Sequence, residues 1–270
     1  MTAEVWAADG LTLTEGTVRQ WEYRSGTNRA GGLVGQNTSV PLRRGELYAK
    51  KKIGPGSFVF NMWITDSDAD AVFARYEEII RQLVRHDRLV SWTRTRGGVT
   101  RTALGETVTA IEPVFIGQHT YRFGVEVIVP DGVWRTTSVA LSATAGSTLP
   151  KSLYLTGTQA LSTAPMDEAT ITVTGPISSG WSVSDINGGD SCTVNQAIPA
   201  GESFSLLCRT WGVGGSSGIT PNPGAVNPTG PRFLTIRPGN SSTTPGVQLT
   251  GSGGGSTTNL TVSTAGMFLV

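Results

Sequence analysis

Short apolar runs broken by turn residues dominate the chain, and only one segment repeats its apolar residues at helical spacing. Alternating or β-branched runs predict strands at 4–7, 11–13, 17–23, 57–65, 89–94, 100–104, 106–115 and 121–129. The last alternates most cleanly, with Tyr121, Phe123, Val125, Val127 and Val129 on one face, and Pro130-Asp131-Gly132 closes it. Gly54-Pro55-Gly56 punctuates the chain just before the run at 57–65.

The helical exception is 69–86. Val72, Phe73, Tyr76, Ile79, Ile80, Leu83 and Val84 recur at three-to-four spacing and predict an apolar stripe that lies on a sheet. Asp66, Ser67, Asp68 and Asp70 crowd its start, and Arg81, Arg85, His86 and Arg88 its end, complementing the helix dipole. Asp66 or Ser67 is the expected cap.

Between 136 and 150 the chain becomes rich in Ser, Thr, Ala and Gly, and a domain boundary is expected there. No helical pattern follows. Strands are predicted at 152–155, 169–174, 180–185, 191–198, 203–210, 232–236, 246–249, 259–262 and 267–270, the frequent turns favouring a sandwich. Residues 212–231, rich in Gly and Pro, are expected to form a long loop. The expected class is mainly β: residues 1–140 form a β-rich α+β domain carrying the helix, and residues 141–270 a β-sandwich.

Composition sharpens this. The 270 residues suit one or two domains, and a net charge of +1 with 15% charged residues leaves no footprint for nucleic acid. Most Arg and Lys precede residue 136, so the two halves differ in charge. No run approaches the roughly 20 apolar residues that cross a bilayer. The N-terminal ten residues carry Glu4 and Asp9 where a signal peptide is basic and then apolar. Synthesis in a cytoplasm is expected, without membrane insertion.

Candidate chemistry is sparse. The run Asp66-Ser67-Asp68-Ala69-Asp70, with Glu77 twelfth, has the carboxylate spacing of a calcium loop, but Ala71 stands where the sharp turn requires Gly. An acidic first turn of the helix explains it better. His86 and His119 lie in different elements, with no carboxylate spaced to orient either, and no zinc-like spacing joins them to the cysteines. Gly214 to Gly218 has the letters of a nucleophile elbow without its strand-to-helix setting. Asp167, Glu168, Asp185, Asp190 and Glu202 offer no selected acid pair. Neither an enzyme nor a cofactor is expected.

Cys192 and Cys208 bracket Pro199-Ala200-Gly201. A hairpin there would put the cysteines opposite each other on one ladder, within reach of a disulfide, whereas cytoplasmic synthesis favours two thiols. Arg43, Arg44, Lys50, Lys51 and Lys52 form the densest basic cluster and are candidate subunit contacts. The polar, Gly-rich segment 31–56 around them is expected to order or pair on assembly. Trp181 and Trp211 are candidate glycan contacts, against the commoner fate of Trp in a sandwich core.

Several segments together resemble a known family. These are ATITVTG at 169–175, AIPAGE at 197–202, FLTIRPGN at 233–240, and Arg43-Arg44-Gly45 ahead of the strand at 57–65 and the helix. Their order is similar to that of the distal tail proteins of long-tailed siphophages, which are baseplate or minor tail proteins. The resemblance implies a homohexameric ring at the end of the tail tube, with the first domain as wall and a galectin-like or immunoglobulin-like sandwich projecting outward. It implies the tail tube protein and the tail hub or baseplate proteins as partners, with assembly in the host bacterial cytoplasm and residence in the virion tail tip. The family has no catalytic residues to carry over. The stretch 212–231 departs from its compact pattern. A tail-tip module recognising a host surface glycan is the alternative, and a one-domain tube subunit fits less well.

Overall fold

The fold is mainly β. The computed structural model describes residues 4–13, 19–23, 33–34, 38–39, 46–47, 52–108, 111–117, 119–146, 148–230 and 233–270. The chain divides into two compact units, Met1–Arg135 with Leu269–Val270, and Thr136–Phe268.

The first unit contains β1 (Val5–Ala8), β2 (Leu11–Thr12), β3 (Arg19–Tyr23), β4 (Leu33–Val34), β5 (Thr38–Ser39), β6 (Glu46–Leu47), β7 (Lys52–Ile53) and β8 (Gly56–Thr65). After α1 (Ala69–Leu83) come β9 (Val90–Arg96), β10 (Val99–Thr107), β11 (Val114–Phe115), β12 (Thr120–Val129) and β13 (Val133–Arg135). The main ladder runs β2-β1-β9-β10-β12-β8-β3, all antiparallel. β10 pairs with β9 as far as Gly105↔Val90, then with β12 from Glu106↔Ile128. Gly105 sits at that change of partner because a Cβ there would lie 2.7 Å from Val127 Cγ1 and 3.0 Å from the Ile128 carbonyl oxygen. β11 pairs with the start of β12, so the predicted strand at 106–115 is split between β10 and β11.

Alternation along β12 buries Phe123, Val125, Val127 and Val129. The core centres on Phe58, whose ring centroid lies 5.1 Å from Trp6, 5.4 Å from Trp92 and 5.4 Å from Trp134. α1 lies against β8 and β12 and buries Val72, Ile79 and Leu83. Its cap is Asp68, not Asp66 or Ser67: the Ala71 N–H donates to the Asp68 carboxylate at 2.9 Å, while Asp66 pairs with Arg75. The helix stops at Leu83, and Val84 is already extended. Phe73 and Val84, counted in the apolar stripe, lie at its margins and are exposed.

In the second unit, β14 (Val139–Thr144), β15 (Lys151–Tyr154), a short α2 (Gly157–Ala160), β16 (Thr170–Thr174), β17 (Trp181–Asp185) and β18 (Ser191–Val194) come first. They are followed by β19 (Ser203–Leu207), β20 (Gly212–Gly215), the 3-10 turn Pro223–Ala225, β21 (Val226–Pro228), β22 (Gly246–Thr250) and β23 (Asn259–Thr264). One sheet runs β14-β23-β16-β19-β20 and the other β15-β22-β17-β18-β21. Every second residue of β16, β17, β18, β19 and β23 is buried, which makes one apolar face per sheet and a core between them.

The Ser/Thr/Ala-rich stretch after 136 contains an edge strand: Val139–Thr144 pairs along its length with β23, and its mostly exposed side chains suit that position. Three expectations change here. The Gly/Pro stretch 212–231 supplies an edge strand to each sheet, β20 to β19 and β21 to β18. Pro228 is tolerated because it lies on an edge. The segment 233–236 buries Phe233, Leu234 and Ile236 but makes a single bridge, Met166↔Ile236, instead of a strand.

Finally, no hairpin forms at Pro199–Gly201. Ile198 exchanges both backbone hydrogen bonds with Ile177, Pro199 has no N–H to extend a ladder, and the chain passes from one sheet to the other. Cys192 therefore stands on the sheet of β18 and Cys208 follows β19 on the facing sheet; both are buried thiols.

Candidate functional site

Among the described residues, those singled out in the sequence do not converge. Arg43, Arg44, Lys50 and Lys51 lie outside the described residues, as does the Lys52 side chain; the Lys52 backbone pairs with Val34. Trp181 is 0% exposed, its ring against Phe204 and its indole N–H donating to the Gln196 carbonyl at 2.8 Å, so it offers a sugar no face. Its strand alternates, and position 181 falls on the inner side. Trp211 differs: it is 48% exposed, sits at φ +57°, and lies 5.6 Å from the Phe233 ring.

The carboxylates hold turns. Asp68 caps α1, and Asp66 holds Arg75. Asp185 is buried, accepts the Asn187 N–H at 3.2 Å and faces Arg237 at 3.9 Å, and Asp190 reaches the same Arg237 at 3.4 Å. Burial pushes the Asp185 carboxyl above its ordinary value against the pull of Asn187 and Arg237. Glu202 accepts the Ser216 hydroxyl and the Gly218 N–H. Among the described residues, no three His, Cys, Asp or Glu side chains form a metal-binding group, and no helix is long and apolar enough to cross a membrane.

Two surfaces of the first unit stand out, and neither is contiguous in sequence. The first lies at the tip of the β9–β10 hairpin. Trp92, Arg94 and Arg96 alternate onto one face of β9, and their cross-strand partners are Ala103, Arg101 and Val99. The face that buries Trp92 thus continues outward as arginine. Arg94, Arg96, Val99 and Arg101 line a recess of about 240 Å³. Arg94 pairs with Glu4, and its guanidinium lies 5.4 Å from the Trp6 ring centre. Directly opposite like charges destabilise a ladder. Burial, and then the Arg94 charge, depress the Arg101 guanidinium below its ordinary value.

The second surface joins α1 to the segment 111–117. A chain of ring contacts runs from Phe73 to Tyr76 (6.5 Å), Tyr76 to Tyr121 (5.8 Å) and Tyr121 to Phe115 (4.9 Å). The Tyr76 hydroxyl donates to the Ile111 carbonyl at 2.6 Å and fixes that segment to the helix. Burial raises the Tyr76 phenol, helped by Tyr121 and Glu112. Phe73 is 49%, Val114 60% and Phe115 54% exposed, and Ile116 is exposed beside them. Asp70, Glu77 and Glu112 on the same two elements are exposed as well. The sequence signal was Val114-Phe115-Ile116: three consecutive apolar residues ahead of Gly117 cannot all turn inward from one strand.

No family model and no curated protein matches the sequence. Among solved structures, the fold is similar to the crystal structure of the SPP1 Dit (gp 19.1) protein, described there as a paradigm of the hub adsorption apparatus in phages infecting Gram-positive bacteria. The TM-score is 0.61 at 12% identity, over 99% of this chain and 100% of that one. A chain of the phage p2 baseplate in its activated conformation with Sr aligns at a TM-score of 0.43 and 10% identity, over 97% and 98%.

Proposed function

We propose that this chain is a structural component of a bacteriophage tail tip, forming a homo-oligomeric ring, a hexamer by analogy, where the tail tube meets the hub or baseplate. The observation that carries the reading is the end-to-end likeness to SPP1 Dit, which spans both β-rich units rather than one common module. The exposed aromatic patch on the first unit supports it, because large contiguous apolar surfaces on soluble chains mark interaction sites. In this reading the first unit makes the ring wall and the second projects as an outer β-sandwich. The basic cluster Arg43, Arg44, Lys50, Lys51 and Lys52 adds subunit contacts, and the work is done by shape, without catalysis.

Light scattering behind size exclusion, followed by negative-stain imaging, tests this directly. A closed annulus of uniform mass is expected; a chain that stays a single subunit at every concentration overturns the ring.

Trp211 favours a second reading, in which the outer unit also recognises a surface glycan, since a half-exposed indole provides a face on which a sugar can stack. Glycan-array binding abolished in Trp211→Ala is the expected result for that reading. An array with no signal from the intact protein removes it.

A further inference from the structure

The two sheets of the second unit end in four edge strands, β14, β20, β15 and β21. An edge offers a row of backbone N–H and C=O groups to any other strand unless something blunts it. Three of the four are blunted. β20 has four residues, three of them glycine; β21 has three and ends in Pro228; β15 has four and begins with Lys151. β14 has none of these guards. It is six residues long (VALSAT), its register against β23 runs without a bulge, and the stretch 136–150 around it holds no charged residue. Among the described residues β14 pairs with β23 alone, so its other side has no strand beside it.

The two faces of β14 define what kind of strand fits there. Val139, Leu141 and Ala143 stand opposite Thr264, Val262 and Leu260, which are buried, so these three lie on the inner face. Ala140, Ser142 and Thr144 lie on the outer face and are exposed. Val139 is 43% exposed although it points inward, because the inner face runs out at this edge. An added strand must therefore be uncharged, apolar on one face and small or hydroxylic on the other. β14 of a second copy meets that description. Half a turn about an axis normal to the sheet brings two such strands together antiparallel, with inner face beside inner face. Val139, Leu141 and Ala143 then meet the same three side chains, and Ala140, Ser142 and Thr144 meet theirs. No charge is buried in the join. The remaining edges are blunted, so growth stops at two.

We infer that β14 joins two copies of this chain edge to edge through an antiparallel β14–β14 ladder, turning two five-stranded sheets into one of ten strands. Backbone bonds supply the contact, and the matched faces fix its register. The join uses the second unit alone and stands apart from the ring reading.

Ser142 carries the test, because it is exposed on the outer face and the two-fold places it opposite or diagonal to its counterpart. Sedimentation and light scattering of the full chain should show the mass double as concentration rises. Ser142→Lys and Ser142→Glu, each alone, set like charges against each other and are expected to weaken the doubling about tenfold or more, at an unchanged thermal midpoint. Mixing the two variants pairs Lys with Glu and is expected to restore it. A wild-type chain that never doubles up to about 1 mM overturns the join. So do both variants doubling as readily as the wild type, a mixture that stays at the smaller mass, or growth without limit. Whether the smaller species is one subunit or a ring decides the ring reading separately.

Discussion

The Trp181 indole meets the Phe204 ring edge-on between the two sheets of the second unit, with centroids 5.7 Å apart and planes at 77°. One ring comes from β17 and the other from β19, so the contact fastens the faces of the sandwich, and both side chains are fully buried. Trp181→Ala is expected to cost about 3–5 kcal/mol through the cavity it leaves. Trp181→Phe keeps most of the volume but loses the bond to the Gln196 carbonyl, at about 1–2 kcal/mol. Urea unfolding followed by circular dichroism measures both. A loss under about 1 kcal/mol for the alanine variant is incompatible with a sandwich centred on this ring.

The facing-sheet placement of the cysteines predicts their reactivity. Burial, with Cys208 adding to it, pushes the Cys192 thiol up to about 12, and the thiolate is the reacting species. Native protein should resist an aromatic disulfide titrant at neutral pH, and both thiols should react once the chain is unfolded. Rapid labelling of Cys192 in the native protein contradicts the burial.

Asp9 is expected to make the first unit acid-sensitive. Burial alone raises its carboxyl, but the Ser91 N–H at 2.8 Å and Arg88 at 2.7 Å outweigh it and hold the folded value below the ordinary 3.8. A depressed acid stabilises the fold above its unfolded value, and that contribution disappears as pH falls through the folded value. The urea midpoint should therefore drop as pH falls below about 4, and Asp9→Asn should flatten part of that drop. At neutral pH the same variant is expected to lose about 1–2 kcal/mol, mostly from the partly buried Ser91 bond, since Arg88 is half exposed and its pair with Asp9 is screened. An unchanged pH profile in Asp9→Asn shifts the acid sensitivity to other carboxylates.

Gly132 is required twice over. It sits at φ +67° after β12, and a Cβ there would lie 2.3 Å from the Gly54 carbonyl oxygen. Gly132→Ala should cost about 2–3 kcal/mol. Gly98→Ala, at φ +78° with open space around it, should cost about 1 kcal/mol, the conformational part alone. Comparing the two midpoints separates close approach from backbone strain, and equal losses would deny any clash with Gly54.

Parts of the candidate surface were legible in the chain and parts were not. Local periodicity pointed to α1 and to the inward residues of β12, because a helix or strand turns its side chains by a fixed angle per residue. The basic cluster at 43–52 is visible in the chain because two short basic runs stand close together, whereas Arg94, Arg96 and Arg101 gather only when the hairpin pairs. Phe73 belonged to the helical stripe by spacing; its exposure depends on where the sheet beneath α1 ends.

By itself, then, the sequence determined the class, mainly β with one substantial helix, and the inward face of the cleanly alternating run at 121–129. Only the tertiary structure decided that 139–144 and 212–215 are edge strands, that the chain crosses sheets at 195–202, and that Cys192 and Cys208 belong to facing sheets. Alternation is a property of a few neighbouring residues. The partner of a strand is chosen by distant residues competing to bury apolar faces and satisfy backbone groups, and no local pattern records that choice.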